Sequence, residues 1–79
     1  MDNKQKFRLI VSAILHIPVE RVTDDLAAAD VETWDSLNHI NLIGAIEQEF
    51  GVTLPTENLG DFMSVPELEA LLGQLGVTL

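Results

Sequence analysis

Apolar residues recur at helical spacing in three stretches of the chain, with polar breaks between them. In the first stretch Phe7, Ile10, Val11 and Ile14 share one face of a helix predicted from Asn3 to about His16, and Pro18 ends it or follows closely. The second stretch starts at Asp35-Ser36, two residue types that begin helices, and Gly51 closes it about four turns later. At roughly 100° per residue, His39, Leu42, Ile43, Ile46 and Phe50 fall on one side and make its core face. The third stretch opens on Ser64-Val65-Pro66-Glu67, a capping-box pattern with proline tolerated in the first turn. Its Leu68, Leu71, Leu72 and Leu75 are expected to complete the core before Gly76 stops the helix.

The connections are unequal. Ile17 to Thr33 is too long for a simple turn, and its Val22, Leu26 and Val31 are spaced as anchors of a loop pinned to a core. This loop is expected to bridge two roughly parallel helices and to present Ser36. After Gly51, Val52-Thr53-Leu54-Pro55 reads as an extended connector. Glu57 to about Phe62 allows a short helical turn, with Leu59 and Phe62 inward and Gly60 weakening it. The predicted fold is therefore all-α: a small bundle of three main helices plus one short helix, filling residues 1–79 as one domain.

The side of the second helix away from its core face is unusual. It holds Leu37, Ile40, Asn41, Gly44, Glu47 and Gln48, so two aliphatic residues stand where a solvated face should be polar. Gly44 is a poor helix residue that leaves a depression, and Glu47 adds charge. A small apolar patch rimmed by acid suits brief docking by partner proteins.

Composition narrows the partners. A formal charge of −9 argues against nucleic acid, whose phosphates demand a basic surface, and favours proteins with basic patches. Lys4, Lys6 and Arg8 cluster in the first helix, which leaves the remainder more acidic still. With 47% apolar residues the chain is not a disordered acidic tail. At 79 residues a deep, enclosed active site would be hard to build. No cysteine is present, so any thiol chemistry must come from a cofactor. Ser12, His16 and Pro18 interrupt the early apolar run, so neither a signal peptide nor a membrane span is read, and a cytoplasmic monomer is expected.

The run Thr33-Trp34-Asp35-Ser36-Leu37, the Glu47-Gln48-Glu49-Phe50-Gly51-Val52 end of the second helix, and the flanking helices resemble the acyl carrier protein family along the whole chain. In that family the serine of an Asp-Ser-Leu motif carries 4′-phosphopantetheine, a flexible arm from coenzyme A whose thiol holds an acyl group as a thioester. The resemblance implies that Ser36 is the modified residue, with Asp35 and Leu37 as motif neighbours. It implies a carrier that catalyses nothing itself. Its partners would be a phosphopantetheinyl transferase and acyl-activating, acyl-transferring and condensing enzymes of fatty-acid, polyketide or related synthesis. These would dock on the face bearing Leu37, Asn38, Ile40, Asn41, Gly44, Glu47 and Gln48. Physical chemistry agrees, because the first turn of a helix favours an anionic phosphodiester.

Two positions depart from the commonest fatty-acid-type pattern: Asn38 and Asn41 stand where that pattern is often acidic, which bears on the identity of the partners. Having its own start and no flanking linker, the sequence resembles a discrete carrier more than a module of a larger synthase. Asp before the serine resembles acyl carriers more than peptidyl carriers, which commonly have Gly-Gly-x-Ser. An aminoacyl or peptidyl carrier is the nearest alternative, and an unmodified acidic interaction domain is the alternative of a different class.

Other constellations are weaker. Ser36, His39 and Asp35 lack the Gly-x-Ser-x-Gly elbow and the second carboxylate that a hydrolase would need. Asp24, Asp25 and Asp30 lack the ligand alternation and central glycine of a calcium loop, so no metal site is expected. Trp34 reads as a large residue folded onto the loop before it reads as a contact for the arm. His16 suits the negative end of the first helix.

Overall fold

A computed structural model describes residues 2–54 and 63–79. The short turn expected at Glu57 to Phe62 lies outside the described residues. Among those described there are three α-helices and two 3-10 turns, so the all-helical expectation holds.

Helix α1 spans Asn3–Leu15, and the Asp2 carboxylate caps it by accepting from the Gln5 amide at 2.8 Å. Phe7, Val11 and Leu15 are its buried residues, while Ile10 and Ile14 pack half-buried beside them. The stripe is thus centred one position further round than periodicity alone predicts, because Leu15 replaces Ile14 at the end of the i, i+4, i+8 row. The chain leaves α1 through His16, which adopts a left-handed conformation (φ 56°), and the N–H groups of His16 and Ile17 both return to the Ser12 carbonyl. The Ser12 hydroxyl donates to the Ile17 carbonyl at 2.6 Å and locks this exit.

Helix α2 runs Ser36–Phe50, with the bounds that Asp35 and Gly51 imply. Gly51 (φ 66°) and Val52 both return their N–H groups to the Glu47 carbonyl, the same kind of terminus built on a residue with no steric objection to it. His39, Leu42, Ile43 and Ile46 are buried, and Phe50 is half-buried at the edge of the core.

Helix α3 covers Val65–Gln74 with Ser64 as its cap, and the Ser–Glu pair of the capping-box pattern engages through its side chains: the Glu67 amide donates to Ser64 Oγ at 3.3 Å, and the Ser64 hydroxyl donates to Glu67 Oε1 at 2.8 Å. Val65, Leu68, Leu71 and Leu72 are buried, but Leu75 is not. Leu75 lies just past the last helical residue and stays exposed, while Val65, at the other end of α3, is buried.

Helices α1 and α2 run antiparallel, which corrects the expectation of parallel helices. Lys6, early in α1, faces Glu49 near the end of α2 at 3.9 Å, while the Thr33 hydroxyl just before α2 donates to the carbonyl of Leu15 at the end of α1. Between them the long loop travels along α1 and back. It turns through Val19–Arg21, reaches Asp24 beside Lys4 and Arg8, then returns through Ala28–Asp30 to Thr33. Val22, Leu26 and Val31 are buried, as their spacing implied. Halfway along, the loop is stapled to the entry of α3: Ala28 N–H donates to the Met63 carbonyl at 2.9 Å and Val65 N–H to the Leu26 carbonyl at 2.8 Å. The loop is therefore held at both ends and at its middle, and it delivers the chain to Ser36 in a fixed place.

Candidate functional site

Three serines occur in the sequence, and the fold treats them differently. Ser12 is half-buried with its hydroxyl committed to the Ile17 carbonyl, and Ser64 is buried in the α3 cap. Ser36 is exposed, at the first position of α2. The first amides of a helix lack intrahelical acceptors and carry partial positive charge, which favours a negative group on this side chain. The Asp35 carboxylate meets one of them, accepting from the Asn38 amide at 2.8 Å.

Behind the serine the loop and helix are cross-linked. Trp34 Nε1–H donates to His39 Nδ1 at 3.0 Å, with Trp34 only 4% and His39 3% exposed. Trp34 is therefore a core residue and not an arm contact. The same bond occupies His39 Nδ1, and the imidazole is buried in the core while Ser36 faces solvent, so this pair is not assembled for hydrolysis. Asn38 is half-buried, and its amide donates to the Thr33 carbonyl at 2.7 Å.

The outward side of α2 is open. Leu37 is 67% and Ile40 56% exposed, and Asn41, Gly44 and Gln48 are exposed beside them. A Cβ built on Gly44 would meet nothing within 4 Å, so no packing inside the chain demands glycine there. Glu47 is half-buried, and its Oε2 accepts from the Leu54 amide at 2.7 Å, so it also fastens the connector after α2. Beyond Arg21 the sequence has no lysine or arginine, and the cations of α1 are engaged elsewhere. Lys4 and Arg8 both contact Asp24, at 3.1 and 2.9 Å, and Lys6 faces Glu49. The hydrogen bond from Arg8, with that from Lys4 next, holds the Asp24 carboxyl below the usual carboxylate range. Among the described residues no helix is long and apolar enough to cross a membrane.

This geometry gives a solvent-facing serine at a helix start, next to an apolar face without cations. Comparison with known proteins shows the family of the chain. The profile of the family described as "Phosphopantetheine attachment site" matches residues 5–72. The chain belongs to the acyl carrier protein family.

Two relatives bear this out. The acyl carrier protein of Buchnera aphidicola subsp. Schizaphis graminum is 37% identical over 59 residues, covering 73% of this chain and 75% of its own. That of Thermosynechococcus vestitus is 33% identical over 64 residues, covering 81% and 79%. The cofactor of the family is 4′-phosphopantetheine, and acyl carrier proteins are carriers, not enzymes. The residues present fit such a group: an exposed hydroxyl at a helix start, where the first amides favour a negative charge. Of the site's structure, the hydrogen bonds from Asn38 to Thr33 and from Leu54 to Glu47 had no signature in the sequence, and that from Trp34 to His39 had a single one. A histidine on an otherwise apolar face, five residues after a tryptophan, was the one available hint.

Proposed function

We propose that Ser36 is the attachment residue for 4′-phosphopantetheine and that the chain carries an acyl thioester on that arm between biosynthetic enzymes. The observation that carries this reading is the exposure of Ser36 at the first turn of α2, inside the matched family region. In loading, the Ser36 oxygen attacks the phosphorus of coenzyme A that bears the pantetheine. A phosphodiester forms, the pyrophosphate bond breaks, the adenosine bisphosphate half departs, and the serine proton passes to the transferase. Asp35 holds the helix start, and the anionic ester lies at its favourable end.

Leu37, Ile40, Asn41, Gly44 and Gln48 form the docking face, with Asn38 at its flank and Glu47 at its far end. Their exposed apolar surface and the lack of cations suit enzymes that present a basic rim around an apolar contact. Those enzymes are a phosphopantetheinyl transferase and acyl-activating, acyl-transferring or condensing enzymes, in the cytoplasm, working on a single 1–79 carrier domain. The test is the intact mass of the protein after incubation with coenzyme A and a broad-specificity transferase. A gain of one phosphopantetheine supports the reading. An unchanged mass with a transferase that modifies a control carrier refutes it.

A further inference from the structure

Three consecutive residues ahead of Ser36 are tied across it to two residues behind it. The Thr33 carbonyl accepts from Asn38 Nδ2 at 2.7 Å, Trp34 Nε1–H donates to His39 Nδ1 at 3.0 Å, and the Asp35 carboxylate accepts from the Asn38 amide at 2.8 Å. The last of these is an ordinary helix cap. The other two are additional, and the Trp34–His39 bond is shielded from water by burial of both partners. The bracket is also anchored to the rest of the fold. The Thr33 hydroxyl donates to the Leu15 carbonyl, and Trp34 N–H donates to the Val31 carbonyl at 3.1 Å.

An exposed first turn is where a helix frays. A serine that must attack a bound phosphorus gains from a fixed approach, since small misplacements cost large factors in rate. The bracketing groups are badly placed for a different task. Trp34 and His39 are buried, and the Asn38 amide donates back to the loop, so none of these bonds offers a surface to a docking enzyme. The exposed groups Leu37, Ile40 and Asn41 are separate from them.

We infer that Asn38 and the Trp34–His39 pair are positioning residues for the loading reaction: they hold the Ser36 turn in the conformation in which its hydroxyl can attack. The inference rests on attachment at Ser36 and deepens it, by dividing α2 into residues that set kcat for loading and residues that set KM.

The experiment uses the full chain, coenzyme A and a broad-specificity phosphopantetheinyl transferase, with Asn38→Ala, His39→Leu, His39→Gln and Leu37→Ala. Loss of one bracket bond lowers kcat about five- to tenfold in Asn38→Ala and His39→Leu, with KM within about twofold. Leu37→Ala does the reverse. His39→Gln keeps an acceptor for Trp34 and recovers activity relative to His39→Leu. Hydrogen exchange at the amides of residues 38 and 39, which both donate to Asp35, quickens in Asn38→Ala and His39→Leu. An unchanged kcat in Asn38→Ala, a change confined to KM, or His39→Gln no better than His39→Leu overturns the inference. If wild-type protein takes up no phosphopantetheine, attachment at Ser36 fails on its own account. Exchange then judges the bracket separately: faster exchange in Asn38→Ala supports it, and wild-type protection refutes it.

Discussion

Replacing Ile46 with alanine removes a side chain that has 0% of its surface exposed, from the middle of α2, where it meets the shared core. Leu37, nine positions earlier on the same helix, keeps 67% of its surface in water. These two numbers set a contrast. A fully buried isoleucine cut to alanine costs about 2–5 kcal/mol, the transfer term plus the cavity left behind. Full burial of a leucine contributes about 1.5–3 kcal/mol, so the third that Leu37 buries is worth roughly 0.5–1 kcal/mol. A domain of this size has a total stability on the order of 4–12 kcal/mol. Ile46→Ala should therefore remove a large share of it, whereas Leu37→Ala should leave the fold almost untouched. Urea titration of both variants, followed by helical circular dichroism, reads the difference, with equal m-values confirming that the same transition is compared. If Leu37→Ala shifts the stability as much as Ile46→Ala, the assignment of core and outward faces is wrong.

Three further outcomes follow from particular residues. His16→Gly relieves a left-handed backbone that costs a side-chain-bearing residue about 1 kcal/mol, so its melting temperature should rise by about 4–8 °C; a fall would mean that the imidazole contributes more at the end of α1 than its backbone costs. Asp24 has a folded pKa below its unfolded one, so the stabilisation from Arg8 and Lys4 is present above the ordinary carboxylate value and is lost as pH falls through the lowered folded value. The stability gap between wild type and Asp24→Asn should accordingly be constant near neutrality and close in acid, and a gap that widens in acid would contradict this. Asn41→Glu, on the exposed face, should speed encounter with a basic partner by up to about fivefold at low salt and lose the gain at high salt. Asn38→Asp should not add to that gain, because it replaces the donor to the Thr33 carbonyl with an acceptor and destabilises by about 1–3 kcal/mol. Denaturation and stopped-flow binding of the two single variants separate these effects.

Helix α2 was legible because its signals are local: a carboxylate cap, a terminal glycine and an apolar period lie within seventeen neighbouring positions, from Asp35 to Gly51. The exposure of Leu37 and Ile40 was legible for the same reason. The path of the long loop was not. Its staple to α3 joins backbone groups of Leu26 and Ala28 to Met63 and Val65, and backbone pairing across that distance imposes no side-chain pattern. The direction of α2 relative to α1 also escaped sequence reasoning, since loop length alone does not say whether the chain returns to the end it left. Leu75 was misplaced because periodicity does not record that the helix has already ended at Gln74. Asn38 read as a rim residue from its position on the helix, yet its amide is used within the fold.

The central claim is that Ser36 is the residue that carries the arm, and peptide mapping tests it most directly. Wild-type protein and Ser36→Ala would each be incubated with coenzyme A and transferase, digested, and fragmented to locate the added group. Phosphopantetheine should be found on Ser36 in the wild type, with none on Ser12 or Ser64, and Ser36→Ala should fold normally and gain nothing. Phosphopantetheine on either of the other serines, or on Ser36→Ala, would contradict the account.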